Sequence, residues 1–290
     1  MTADVALTAA TGLVIGWSCA QALLVVRLKA PPASAMRINH RGVKVPVVGG
    51  GPLVMGAFIA LSVLNLMAAA GWEPAASRRV GSAIALVMLV MYLAGWWDDR
   101  RGDERPKGFS GHFGALGKGR VTGGLVKAGA GAVAGGAAGL LLADTLLEGV
   151  GMALCVALAA NLINLLDRAP GRAGKATLLC AVPLVALAGA SWVVAASGLL
   201  GALIGVLRYD LAERVMIGDA GANPLGAVLG LGVLTVVDGA GLAIAITVLG
   251  LLNLASEKWS FSAAIESNRV LRWLDRSGRS NPAGDDAPDA

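Results

Sequence analysis

An all-α bundle of about nine transmembrane helices, with the N-terminus outside and the C-terminus in the cytoplasm, is the fold class that three observations predict. Of the 290 residues, 56% are hydrophobic and 15% charged, and a mean hydropathy of +0.69 is too high for a chain that must cover itself with polar groups. Charge-free runs recur at lengths that can cross a hydrocarbon core of roughly 30 Å, which takes about 20 helical residues. Basic residues fall in alternate connections, the arrangement that keeps those connections in the cytoplasm. Helices are the spanning form because the runs lack the alternation a β-barrel would need.

The first run, 5–26, follows Asp4 and precedes Arg27 and Lys29. With no basic segment before it and no small-residue cleavage site after it, it reads as a retained anchor and not a signal peptide. Runs 45–72 and 80–97 follow, then 121–143, which is apolar except for Lys127, and 149–166. The long run 176–207 has basic flanks on both sides (Arg168, Arg172 and Lys175 before, Arg208 and Arg214 after), so it is expected to cross twice, with a hairpin at Ala195-Ala196-Ser197-Gly198. Runs 220–237 and 239–256 complete the set. On this topology the 24 Lys and Arg residues all fall in cytoplasmic segments, apart from Arg78 and Arg79 in an outer loop and Lys127 within a span.

Three parts are therefore expected: a transmembrane domain over 1–256, a cytoplasmic amphipathic segment over 257–276 and a disordered tail over 277–290. In the second part Trp259, Phe261, Val270, Leu271, Trp273 and Leu274 alternate with Arg269, Arg272 and Arg276, a pattern suited to the inner leaflet or to covering a site. The net charge of +5 belongs to the inner face and suits anionic lipid headgroups. Nucleic acid is not expected as a partner, since no soluble basic domain exists to bind it. Cys19, Cys155 and Cys180 all lie in apolar runs without metal-ligand spacing and read as packing residues.

Ionisable groups at helix ends are costly in a membrane protein unless they have a task or a partner. Asp98 and Asp99 follow the aromatic pair Trp96-Trp97, Asp167 ends the fifth crossing after Asn161 and Asn164, and Asp219 begins the eighth inside Gly218-Asp219-Ala220-Gly221. All four carboxylates are expected at cytoplasmic ends of different helices. Carboxylate oxygens so arranged suit Mg²⁺, which keeps one or two of them and takes substrate phosphates for the rest. Lys127 would pair with a phosphate or with one of these acids, the alternative being that it reaches out to water. For Asn161 and Asn164 the alternative to a substrate contact is a simple interhelical hydrogen bond. His112, in the loop after the paired acids, is open to substrate contact or plain solvation, and His40 reads as structural.

These strings carry a resemblance. Asn39-His40-Arg41-Gly42 with Lys44-Val45-Pro46-Val47-Val48-Gly49-Gly50, Gly95-Trp96-Trp97-Asp98-Asp99, Asn161-Leu162-Ile163-Asn164-Leu165-Leu166-Asp167 and Met216-Ile217-Gly218-Asp219-Ala220-Gly221 occur in the order found in a known family. The chain resembles, over about residues 27–256, the polyprenyl-phosphate N-acetylhexosamine-1-phosphate transferases (glycosyl transferase family 4), which include the phospho-N-acetylmuramoyl-pentapeptide transferase of peptidoglycan synthesis. The resemblance implies a multi-pass protein of the bacterial cytoplasmic membrane in which polyprenyl (undecaprenyl) phosphate attacks the β-phosphate of a UDP-sugar, releasing UMP, for cell-envelope glycan synthesis.

By the same resemblance, Asp219 would bind Mg²⁺ and Asp98 or Asp99 would orient or deprotonate the lipid phosphate. Asn161, Asn164 and Asp167 would hold the nucleotide-sugar, and Lys44 and Lys127 would contact phosphates, with His112 as a further substrate contact. A homodimer stays open as the assembly. Two departures bear on recognition. Where the family continues Asp-Gly-x-Asp-Gly, this chain reads Asp167-Arg168-Ala169-Pro170-Gly171-Arg172, and no histidine motif or further crossing follows Ser256. A non-catalytic relative or a lipid-linked transporter of the same fold is therefore the alternative.

Overall fold

A computed structural model describes residues 2–72, 78–101 and 123–280. Among them the chain forms eleven α-helices and one small hairpin. Helix α1 (Ala3–Lys29) is followed by strands β1 (Met36–Ile38) and β2 (Lys44–Pro46), which pair antiparallel with Met36 opposite Pro46. Then come α2 (Gly50–Ala69), α3 (Arg78–Arg101), α4 (Gly123–Leu142), α5 (Leu146–Leu166), α6 (Arg172–Leu187), α7 (Ala190–Leu211), α8 (Asp219–Leu234), α9 (Gly239–Lys258), α10 (Phe261–Ser267) and α11 (Arg269–Arg276).

Six of these, α1, α2, α3, α5, α7 and α9, are long and apolar enough to cross a membrane. In α4 the apolar stretch Val126–Leu142 is shorter, and α6 and α8 have 16 residues each. Sixteen residues rise about 24 Å, short of a hydrocarbon core of roughly 30 Å. Helix α8 tolerates this because protein surrounds it: every residue from Ala220 to Gly232 is buried, with α3, α5 and α6 among its neighbours. Only past Gly232 does exposure return, with Val236 at 39%. Helix α7 is likewise internal, with 72% of its apolar stretch buried, whereas α9 at 11% forms the rim.

Small residues set the helix spacing, as expected where association depends on close packing. A side chain at Gly16 of α1 would place its Cβ 2.0 Å from the Gly198 carbonyl oxygen of α7. The same contact decides where the long apolar run divides. Ala195-Ala196-Ser197-Gly198, expected to be a hairpin turn, is buried inside α7, and the chain breaks instead at Ala188 and Gly189, both extended. The small residues there form a contact surface for α1 and α2. The long run does divide into two helices, but the break follows the turn that contains Pro183.

Two further boundaries differ from expectation. Residues 45 and 46 belong to β2, and α2 starts only at Gly50. The segment from Ser277, expected to begin a tail, is docked as far as Ser280: Arg279 is 8% exposed against Asp275, and the Ser280 N–H donates to the Leu211 carbonyl at 3.3 Å.

Candidate functional site

The hairpin and the chain before α8 together build one wall of the site. Asn39 Oδ1 accepts from the N–H groups of Arg41 and Val43, both at 2.9 Å, which closes the hairpin turn. Asn39 Nδ2 and Arg41 then hold Glu213, at 2.7 Å and through Nε at 3.1 Å. The Met216 N–H donates to the Pro46 carbonyl at 3.0 Å, and the Gly49 N–H returns to the Met216 carbonyl at 3.1 Å. This zipper delivers the chain to Gly218, whose φ of +65° turns it into α8.

Helix α8 has no side-chain cap of its own. Asp99 supplies one from α3: Oδ1 accepts from the Asp219 N–H and Oδ2 from the Ala220 N–H, each at 3.0 Å. Two orphan amides and the positive end of the helix dipole are thus met by one carboxylate. The approach needs glycine on α3, since a Cβ at Gly95 would sit 2.2 Å from the Asp219 carbonyl oxygen. Arg37 of the hairpin donates to the Asp99 carbonyl at 2.5 Å, which ties the same corner to β1.

Beside this cap, Lys127 in the second turn of α4 bridges two acids. Its Nζ lies 2.7 Å from Asp219 Oδ2 and 3.0 Å from Asp98 Oδ2. Asp98 is 2% exposed. The Asn164 amide of α5 completes the group when its Nδ2 donates to Asp219 Oδ1 at 2.7 Å and its Oδ1 accepts from Lys127 Nζ at 3.1 Å. Four helices therefore contribute to one cluster with more negative than positive charge.

The cluster borders a cavity of about 1850 Å³ whose lining includes Lys127, Asn161, Asn164, Asp167, Asp219 and Asn223. From there the cavity follows small residues of α4 and α5, such as Gly136 and Gly149, to the α4–α5 turn at Thr145. Asp167, the C-cap of α5, faces the same space. Burial pushes its carboxyl well above the usual carboxylate range, and Asp210, Asp219 and Asp99 add to the rise.

Asp98, Asp99, Lys127, Asn164 and Asp219 are thus brought into direct contact, and Asp167 borders them. Asn161 lines the cavity one turn away, where its Nδ2 donates to Asn253 Oδ1 of α9 at 2.6 Å. Lys44 is not brought in: β2 turns Val45 inward and leaves Lys44 exposed, outside the cavity lining. His40, read as structural, is among the cavity's lining residues. His112 lies outside the described residues.

Four residues escaped the sequence reading. Asp210, 4% exposed, accepts from the Gly171 N–H at 3.0 Å and so fixes the loop after Asp167. Asn223 and Asn253 are buried amides on α8 and α9 whose signal was a lone polar residue in an apolar run. Asp275 pairs with Arg172, one of the two cations that mark the departure after Asp167, through Nε at 2.7 Å and Nη2 at 2.9 Å.

Among the described residues no three His, Cys, Asp or Glu side chains are grouped to hold a metal by themselves. What Asp98 and Asp219 offer is a pair of oxygen donors already shared by one cation, the Lys127 ammonium. Such a pair fits Mg²⁺, which takes few protein oxygens and fills its sphere with phosphate oxygens and water.

No curated protein matches the chain. The profile described as glycosyl transferase family 4 matches residues 82–237, more than half of the chain, from within α3 to just beyond α8. The matched stretch contains every member of the cluster. With its helices long enough to cross a membrane and its acids gathered at one end of them, the chain belongs to glycosyl transferase family 4.

Proposed function

We propose that the protein transfers a sugar-1-phosphate from a UDP-sugar to polyprenyl phosphate, with Mg²⁺, and releases UMP. The observation that carries this reading is the Asp98–Lys127–Asp219 bridge beside a cavity large enough for a diphosphate and its substituents. Family membership supports sugar-phosphate transfer to a lipid carrier in general. On this reading the N-terminus is outside, the cluster and α10–α11 are cytoplasmic, and α4, α6 and α8 bring the crossings to nine in a bacterial cytoplasmic membrane.

In the reaction, an oxygen of the lipid phosphate forms a bond to the β-phosphorus, and the bond from that phosphorus to the α,β-bridging oxygen breaks, so that UMP leaves. A phosphate monoester is largely dianionic at pH 7, so its attacking oxygen already carries an electron pair. The protein's task is then to position the two phosphates and offset their repulsion. Bound Mg²⁺ would neutralise charge on the diphosphate, held by Asp219 with Asp98. Lys127 would pair with phosphate oxygens when these displace it from the acids. Asn164 holds the Asp219 carboxylate in one orientation. Asp99, with both oxygens on α8 amides, is a positioning residue on this account, which leaves Asp98 as the acid that would orient the lipid phosphate.

Asp219→Asn tests the reading directly. In membranes containing undecaprenyl phosphate it should reduce Mg²⁺-dependent UMP release from a UDP-sugar by at least about a hundredfold, the scale of removing one preorganised charge contact. Unchanged release would reject the metal assignment. A wild-type protein that makes no UMP from any of UDP-GlcNAc, UDP-MurNAc-pentapeptide and related donors would favour a non-catalytic relative instead.

A further inference from the structure

Asn223 lies one turn beyond Asp219 on the same face of α8. It is 1% exposed and borders the cavity, yet its Nδ2 has no hydrogen-bond partner among the described residues. Two other amides that line the cavity, Asn161 and Asn253, are engaged. Asn161 Nδ2 donates to Asn253 Oδ1 at 2.6 Å, and Asn253 Nδ2 donates to the carbonyls of Leu158 at 3.1 Å and Leu249 at 2.8 Å. Buried amides are nearly always paired, so a donor left over beside a large cavity points to an acceptor that enters the cavity.

We propose that Asn223 donates a hydrogen bond to a phosphate oxygen of a lipid-linked phosphate that reaches the acid cluster from the bilayer side. The identity of that lipid rests on the transfer reading above. Depth supports the assignment. Four residues of helix place Asn223 about 6 Å beyond Asp219, on the side away from the hairpin. A ligand entering past His40 meets Lys127 and Asp219 before Asn223. One whose chain lies along Gly136 and Gly149 meets Asn223 first. A neutral amide also suits that depth, because it can wait there without a partner at far lower cost than a buried cation.

The test uses full-length protein in detergent, with native mass spectrometry reading the binding of undecaprenyl phosphate, undecaprenol and inorganic phosphate in separate arms. Asn223→Ala and the isosteric Asn223→Asp should each weaken undecaprenyl phosphate about tenfold, or ~1.4 kcal/mol. Undecaprenol should bind both variants as it binds the wild type, and inorganic phosphate should bind wild type at least about a hundredfold more weakly than the lipid phosphate. In steady state, KM for undecaprenyl phosphate should rise by the same factor, while KM for the UDP-sugar stays within about twofold. Undiminished binding in both variants would assign the amide to water alone and overturn the proposal. So would a rise confined to the UDP-sugar KM, or inorganic phosphate binding as tightly as the lipid. If lipid phosphate binding depends on Asn223 but no donor yields UMP, the transfer reading fails and this inference stands.

Discussion

Two buried ion clusters at the same end of the bundle differ in whether they are closed. Around Asp275, Arg172 donates through Nε and Nη2 to the carboxylate and through Nη1 to Ser262 Oγ at 2.7 Å. Lys175 donates to the carbonyls of Leu274 at 2.9 Å, of Asp275, and of Ser277 at 3.0 Å, which holds the end of α11. Arg279 adds a contact to Asp275 Oδ2 at 2.5 Å. Here cations outnumber the acid, and each of them binds groups of the chain itself. Around Lys127, by contrast, Asp98, Asp99 and Asp219 outnumber the cation, and the cluster faces a cavity. Charge balance alone does not separate staple from site. What separates them is whether an outside group is needed to complete the set.

Exchanging Lys127 and Arg172 in turn for Met breaks or sustains that distinction with the largest effect. Lys127→Met should lower UMP release by at least about a hundredfold, since it removes the cation shared by Asp98 and Asp219 and offered to phosphate. Arg172→Met should leave turnover within about threefold, which corresponds to well under 1 kcal/mol of transition-state stabilisation. A comparable loss in Arg172→Met would mean that the second cluster takes part in the chemistry.

Stability should also respond to the Arg172 exchange. Breaking a buried pair typically costs roughly 3–5 kcal/mol, and because Arg279 stays on Asp275 the expected loss for Arg172→Met is smaller, about 2 kcal/mol. Limited proteolysis of the intact protein should then cut first within α10 and α11, before the transmembrane helices. Cleavage that begins elsewhere would show that the clamp does not hold this segment.

The same clamp sets a pH dependence. Burial by itself would raise the Asp275 carboxyl, but the Arg172 guanidinium, with Arg279 and Lys175 behind it, outweighs burial and holds the group below the usual carboxylate range. A carboxyl depressed in the folded protein contributes stability fully above its unfolded value, near 3.9, and loses it as pH falls through the lower folded value. The C-terminal segment should therefore resist pepsin at about pH 5 and be cut below about pH 4. In Arg172→Met the onset should move upward.

Which parts of this were legible in the sequence follows from the physics of each signal. Asp98, Asp99 and Asp219 stand out because charge at the end of an apolar run is rare and expensive, and the same logic exposed Lys127. Asn223 and Asn253 are neutral and single, so nothing in the chain separates a waiting donor from ordinary interhelical hydrogen bonding. Ala195 to Gly198 misled because the same small residues serve a turn and a close helix contact. Lys44 came from the resemblance alone, and strand alternation, which no string of residues displays, is what turns Val45 and not Lys44 toward the cavity. The Arg172–Asp275 pair joins residues 103 apart and depends on the docking of α11, which no local pattern announces.

Asn161 offers the smallest effect and the finest discrimination, because it is both a cavity residue and a partner of Asn253. In Asn161→Ala, Asn253 keeps its bonds to Leu158 and Leu249, so only one interhelical bond is lost, worth about 0.6 kcal/mol on average in a membrane helix bundle. If that bond is its whole role, thermal stability should fall slightly and KM for the UDP-sugar should stay within about twofold. If the amide also grips the nucleotide-sugar, the donor KM should rise about tenfold with the same slight fall in stability, since a hydrogen bond to a charged ligand is worth about 1.5–3 kcal/mol. The first outcome would make the Asn161–Asn253 pair a closed set like Asp275 with Arg172, and would leave Asn164 as the asparagine of α5 that belongs to the open one.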